Sequence, residues 1–189
     1  MTRFSARLIA PVALAIGTLG LAACSEDAIE PGTTSEDRVD DTIASIIGGN
    51  DDLSTVASAL SGAGLDTVFD GPGSYTILAP TDAAFEALEG SDELLSEENR
   101  PLLIAVLRDH VVPGHLTVES ITEAIEQNGG SVEMRTLGGG LATFSANDGG
   151  LSVSSGDGPL VRVAGQAEAG SNGVVIPIDG LLEAPAAAE

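Results

Sequence analysis

The sequence predicts an α+β domain, and three observations carry that reading. Between residues 43 and 125 apolar side chains recur at helical spacings, with Ile43, Ile46 and Ile47 as the first example. From residue 131 the period shortens to alternating runs separated by glycine-rich turns. One β-rich segment, 75–79, precedes those runs and leads straight into a helix start, so helices and strands are segregated along the chain.

The elements follow in order. Ile43, Ile46 and Ile47, then Leu53, Val56, Ala57 and Leu60, mark two short helices joined by a turn at Gly48-Gly49-Asn50. Asp51 or Asp52 is expected to cap the second, and Gly62 and Gly64 to end it. Residues 65–69 form a short apolar stretch before the turn Asp70-Gly71-Pro72-Gly73. The strand at 75–79 is expected to stop at Pro80, which has no N–H for a ladder. Thr81 caps the helix that follows, Asp82 complements its positive end, and Phe85 and Leu88 share a face. Ser96 is placed to cap the next helix, with Glu97 and Glu98 in its first turn and Pro101 early in its course. Leu103, Val106, Leu107 and His110 continue it as one stripe. Val111 and Val112 leave the helix, and Pro113-Gly114 turns the chain. Residues 118–125 read as an amphipathic helix closed by Asn128-Gly129-Gly130. Strands are expected at 132–137, 141–145, 151–154, 160–163 and 174–178. Gly138-Gly139-Gly140, Asn147-Asp148-Gly149-Gly150 and Gly156-Asp157-Gly158-Pro159 are the turns between them. Residues 184–189 read as a frayed tail.

Composition narrows the function. The 189 residues carry 7 basic and 29 acidic side chains and no lysine, a formal net charge of −22. Such a surface repels nucleic-acid phosphates and anionic membranes. With no tryptophan, one tyrosine and four phenylalanines, the core must be aliphatic. The lone cysteine excludes an internal disulfide and a multi-cysteine metal centre. Two histidines do not make a histidine cage.

The N-terminus reads as an export signal. Arg3 and Arg7 precede an apolar run at 8–21, shorter than the roughly 18–20 residues that cross a bilayer. Leu21-Ala22-Ala23-Cys24 then resembles a bacterial lipoprotein box. That resemblance implies cleavage after residue 23 and acylation of Cys24, and two or three acyl chains hold stably where one does not. Export and a lipid anchor follow, with Ser25 favouring the outer membrane or cell surface over a periplasm-facing site. Residues 24–41 hold Glu26, Asp27, Glu30, Glu36, Asp37, Asp40 and Asp41 against Arg38 alone, and repulsion keeps such a tether extended to at most about 60 Å. The domain is expected at 42–185, with 186–189 as tail.

Three stretches together resemble a fasciclin domain. YTILAPTDAAF (75–85) is similar to the family's first box through Ala79, Pro80, Thr81, Asp82 and Phe85. LIAVLRDHVVPG (103–114) is similar to its central helix through His110, Pro113 and Gly114. NGVVIPIDGLL (172–182) is similar to the second box through Asn172, Gly173 and Asp179. The resemblance implies a wedge-shaped β-sandwich of about seven strands with flanking helices, in which 75–79 and 174–178 meet in the core. It departs at Asp109, where the family usually has tyrosine, and at Ile176, where histidine is common. Both departures weigh against integrin-like recognition. Pro177, next to Ile176, places its strand at an edge or a bulge.

No constellation of catalytic groups emerges. His110 and His115, five apart across a Pro-Gly turn, lack third and fourth ligands, and His110 suits a structural role at a helix end, cationic or donating to a backbone carbonyl. No Gly-x-Ser-x-Gly elbow occurs. Asp51-Asp52 and Glu97-Glu98 sit at helix starts, and the Asn147-Asp148-Gly149 and Asp157-Gly158 turns lack the length and closing glutamate of a calcium loop. Gly138-Gly139-Gly140 lacks the lysine of a phosphate loop. The expectation is a non-enzymatic, cofactor-free module that contacts matrix, glycan or an envelope protein. The alternative is a carrier of an apolar pigment or lipid.

Overall fold

The computed structural model describes residues 41–147, 150–156 and 158–182. The signal segment, Cys24, residues 25–40 of the tether, the turn residues Asp148, Gly149 and Asp157, and the tail lie outside the described residues.

The first half is helical: α1 (Ile43–Gly48), α2 (Ser54–Ala63), α3 (Asp66–Phe69), α4 (Asp82–Glu86), α5 (Ser91–Leu94), α6 (Arg100–Asp109) and α7 (Val118–Gln127). Among the described residues eight strands form two four-stranded sheets. The strands are β1 (Tyr75–Pro80), β2 (Val111–Pro113), β3 (Ser131–Arg135), β4 (Leu141–Asn147), β5 (Gly150–Ser155), β6 (Val161–Arg162), β7 (Glu168–Gly170) and β8 (Gly173–Ile178). The first sheet runs β2-β1-β8-β7 and the second β3-β4-β5-β6. This α+β arrangement agrees with what the motif resemblance implies, with eight strands among the described residues in place of about seven.

The two boxes meet directly. β1 and β8 pair in parallel from Tyr75 opposite Gly173 to Pro80 opposite Ile178. Both strands are apolar at nearly every position because both faces of their sheet are covered. Ile77, Ala79 and Val175 face a core built with α1, α2 and α6, where Leu53, Val56, Leu103 and Leu107 are buried. Leu78, Val174, Ile176 and Ile178 face a second core with Phe144, Val153 and Ile121.

Several expectations need correction. β1 does stop at Pro80, but it includes the proline as its last residue, opposite Ile178 of β8. Pro177 is in an inner strand and not in an edge strand, although pairing on its outer side breaks after Val175 and resumes only at the bridge between Ile178 and Val163. The physical reason is the same for both prolines. Tyr75 N–H donates to Asn172 O and Thr81 N–H to Ile178 O, so backbone groups alternate with odd β1 and even β8 residues turned toward each other. Pro80 and Pro177 therefore turn their N–H-less nitrogens away from the β1–β8 ladder. On the far side β2 pairs no further than Ile77, and β7 no further than Val175. Past that point Ala164 N–H donates to the Pro177 carbonyl at 2.8 Å, which needs no donor from proline.

The caps also differ. The Asn50 side chain accepts from Asp52 N–H, so Asn50, not Asp51 or Asp52, starts the 3-10 turn leading into α2. Gly64, in the left-handed region at φ 70°, ends α2, while Gly62 lies inside it. Ser96 makes no cap: its hydroxyl donates to Glu93 O at 2.7 Å, and a 3-10 turn at Glu97–Asn99 precedes α6. Within the apolar stretch 65–69, Asp66–Phe69 form α3, and α5, β2 and β7 have no counterpart in the sequence pattern. The strand expected at 160–163 shortens to Val161–Arg162. No helix among the described residues is long and apolar enough to cross a membrane.

Candidate functional site

The box residues lie where the β1–β8 ladder meets the helices. Their side chains are engaged within the domain, and the bonds they make explain why these residue types occur there.

Asn172 links three segments. Its Oδ1 accepts from Ile43 N–H at 2.8 Å, and its Nδ2 donates to the carbonyls of Phe69 and Gly71. One buried amide thus ties α1 and the end of α3 to the start of β8. Gly173 follows because a Cβ there would overlap the Tyr75 carbonyl oxygen.

Thr81 accepts from Ala84 N–H and caps α4, as its position implies. Asp82 reaches elsewhere. Its Oδ2 accepts from Ser54 Oγ at 2.7 Å and its Oδ1 from Thr55 N–H at 2.8 Å, at the first turn of α2. The residue preceding α2, Leu53, has no side chain able to cap it, so Asp82 supplies the cap across the fold. Partial desolvation raises the Asp82 pKa, but the bonds from Ser54 and Thr55 outweigh it and leave the carboxyl below its usual range. Ala79 and Phe85 are core residues.

His110 closes α6 and is 1% exposed. Leu182 N–H points at Nε2 at 3.0 Å, so Nε2 is the acceptor, and Nδ1 must then carry the proton it donates to Val106 O at 2.8 Å. Burial is the largest influence and depresses the pKa, against smaller opposing effects of the Val106 carbonyl and the Asp109 charge. The ring is therefore neutral near pH 7, which corrects the cationic option. With both nitrogens occupied it has no lone pair for a metal or a substrate proton. His115 sits on an exposed loop.

Gly114 and Pro113 shape that loop. Thr76, fully buried, donates to Gly114 O at 2.8 Å and accepts from Leu116 N–H at 2.9 Å. Asp179 accepts from Arg162 N–H at 2.7 Å, joining β6 to the end of β8. Thr76 was missed because its β-branched type reads simply as strand. Its signal was a lone threonine in a run otherwise apolar on both faces.

Asp109, the departure from the family pattern, accepts from Thr136 Oγ1 at 2.8 Å. Arg108 beside it donates to Leu137 O, Gly138 N–H returns a bond to Arg108 O, and Leu137 N–H donates to Val111 O. The Gly138-Gly139-Gly140 turn is clasped onto the end of α6 by these bonds. Ile176, the second departure, is buried in the second core.

The larger surface depressions are open to solvent. One of about 350 Å³ lies between α2 and α6, lined by Ser54, Ser58, Gly62, Leu95, Arg100 and Leu103. An apolar pocket beside Ile47, Leu60 and Phe69 measures about 70 Å³, well below the roughly 300 Å³ at which small-molecule sites begin. No group of three or more His, Cys, Asp or Glu side chains among the described residues converges on a metal position.

Comparison with known proteins places this arrangement. A family model described as the fasciclin domain matches residues 51–184. Protein sll1483 of Synechocystis sp. is 33% identical over 146 residues, which is 76% of this chain and 74% of that protein. Immunogenic protein MPB70 of Mycobacterium bovis is 31% identical over 202 residues, 98% of this chain and 95% of that one. Among solved structures, a FAS1 domain pair from the insect cell adhesion molecule Fasciclin I superposes with a TM-score of 0.66 at 14% identity. That match covers 75% of this chain and 50% of that chain, so this chain spans half the length of the pair.

Proposed function

Starting from the premise that this chain belongs to the fasciclin family, we propose that it is an exported, lipid-anchored interaction module whose exposed surface contacts matrix, glycan or another envelope protein. The observation that carries the reading is the use of the motif side chains. Asn172, Asp82, His110, Thr81 and Asp179 all hold the domain together, and His110, the strongest candidate for chemistry, has both ring nitrogens engaged. The motifs build a frame, and recognition falls to residues outside them. The apolar pocket beside Ile47, Leu60 and Phe69 is only about 70 Å³. The depression of about 350 Å³ is open and lined in part by Ser54, Ser58 and Arg100, which favours the module over a carrier of an apolar pigment or lipid.

The anchor belongs to the same proposal. Cys24 stands directly after two alanines at the end of an apolar run, and an acidic stretch separates it from α1.

Two experiments test the reading. Membrane fractionation of a Cys24→Ala variant is expected to move the protein out of the membrane fraction, and an unchanged distribution rejects the anchor. Photo-cross-linking from exposed positions in intact cells is expected to capture a defined matrix or envelope component. Normal adhesion in cells lacking the protein, together with no cross-linked product, rejects the module.

A further inference from the structure

The second sheet ends in a strand with an unusual outer edge. β3 pairs only with β4, and β2, β6 and β7 are each three residues or shorter. Thr136 N–H donates to Gly140 O where the β3–β4 hairpin closes. By alternation Val132 and Met134 turn their backbone groups toward β4, while Ser131, Glu133 and Arg135 turn theirs outward. No backbone bond among the described residues meets those three on the outer side. The free edge ends there, because Leu137 N–H is taken by Val111 O. The side chains of Ser131, Glu133 and Arg135 are exposed on one face, and Val132 and Met134 pack toward the second core.

Unpaired edges of this length recruit strands unless something blocks them. The charges on β3 select the recruit. In an antiparallel pair related by a two-fold axis normal to the sheet, a centre at Glu133 sets Glu133 against its own copy. A centre at Arg135 sets arginine against arginine. A centre at Met134 sets Glu133 of each copy opposite Arg135 of the other, twice. Because both residues direct their backbone groups outward, each such pair is of the kind that exchanges two N–H···O bonds. Arg135 has no carboxylate partner among the described residues, its guanidinium donating only to Gly139 O at 3.1 Å.

We propose that the β3 edge is a homotypic interaction surface, on which a second copy of this chain adds antiparallel about Met134 with Glu133 and Arg135 paired across the two-fold axis. The formal charge of −22 opposes the approach of two copies, so association strengthens as salt screens the net repulsion.

Charge reversal tests both the surface and its register. In sedimentation velocity of the full chain over a concentration series, a reversible monomer–dimer equilibrium is expected. Glu133→Arg and Arg135→Glu each place like charges opposite one another and are expected to abolish the dimer. Combining the two restores opposite pairs and is expected to restore it. A wild-type chain that stays monomeric throughout overturns the proposal. So does association indifferent to the single reversals, which would arise elsewhere, as at the apolar run 8–21. A double variant that stays monomeric rejects the register. Hydrogen exchange needs no variant: the amides of Glu133 and Arg135 are expected to gain protection with concentration while those of Val132 and Met134 stay constant. Equal behaviour of all four amides counts against the edge.

Discussion

The backbone N–H of Leu182 donates to Nε2 of His110 at 3.0 Å, joining residues 72 positions apart. The bond exists only while that nitrogen is unprotonated. His110 binds a proton less readily in the folded domain than in the unfolded chain, where its pKa is about 6.5. Between the depressed folded value and 6.5 the unfolded state holds more protons, so stability rises with pH. The contribution is complete above about pH 6.5 and is lost as pH falls toward the folded pKa, by at most about tenfold in the folding constant per pH unit. Urea midpoints at pH 8 and pH 5.5 measure this. The difference between the two pH values is expected to shrink in His110→Gln, which at pH 8 should itself cost about 1–3 kcal/mol through the buried groups left unpaired.

Asn172 yields a sharper contrast. Asn172→Ala leaves Ile43 N–H and two carbonyls without partners and is expected to cost about 3 kcal/mol. Asn172→Asp keeps the acceptor for Ile43 but turns a carboxylate oxygen toward the carbonyls of Phe69 and Gly71. At pH 7 it should be the worse substitution. As pH falls and the introduced acid takes up a proton, it can again donate to one carbonyl, so its deficit relative to wild type narrows. Denaturant titrations of the three proteins at pH 7 and pH 5 decide the order. A smaller loss for aspartate than for alanine at pH 7 contradicts the assigned bonds.

For Asp82 the expected effect lies in α2, not in the helix it begins. Asp82→Ala removes the acceptors for Ser54 and Thr55 and should cost about 1 kcal/mol, in the range of other lost N-caps. The folded pKa is depressed, so this support is present above the unfolded value near 3.9 and disappears as pH drops through the folded one. Residue-resolved hydrogen exchange should show faster opening in the first turn of α2, while the first turn of α4, still capped by Thr81, changes less.

What the sequence made legible follows from how local each signal is. The α1, α2, α6 and α7 stripes, the Thr81 cap and the β4–β5 hairpin are set by spacings of four residues or fewer, or by a turn between neighbours, and they appear near their expected places. β1 and β8 stood out because burial on both faces makes every position apolar. β2 and β7, three residues each, have no pattern of their own and exist because β1 and β8 offer them edges. Spacing alone ties Asp82 to its own helix, since a cap reaching 27 residues away leaves no mark in it. At the candidate site the motif positions were legible and their work was not. The helix stripe places His110 at the end of α6, but the acceptor role of Nε2 depends on Leu182, a contact no helical periodicity encodes.

The same distance between cause and sequence separation makes Asp109 a test of the α6 clasp. A Cβ at Gly138 would overlap the Asp109 carboxylate, which Thr136 holds in place. Gly138→Ala must therefore displace Asp109 and break its bond from Thr136, while Asp109→Ala removes the obstacle together with the bond. If the clash is the cause, the two substitutions are strongly non-additive. Gly138→Ala alone should cost about 1–3 kcal/mol, as overpacking at a close contact does, and little more than nothing when added to Asp109→Ala. A double-mutant cycle in urea should return a coupling of about 1–2 kcal/mol. Additive losses would mean that the alanine strains the turn's backbone, not the carboxylate. In that case the clasp reduces to the bonds from the Arg108 guanidinium to Leu137 O and from Leu137 N–H to Val111 O, in which neither Gly138 nor Asp109 takes part.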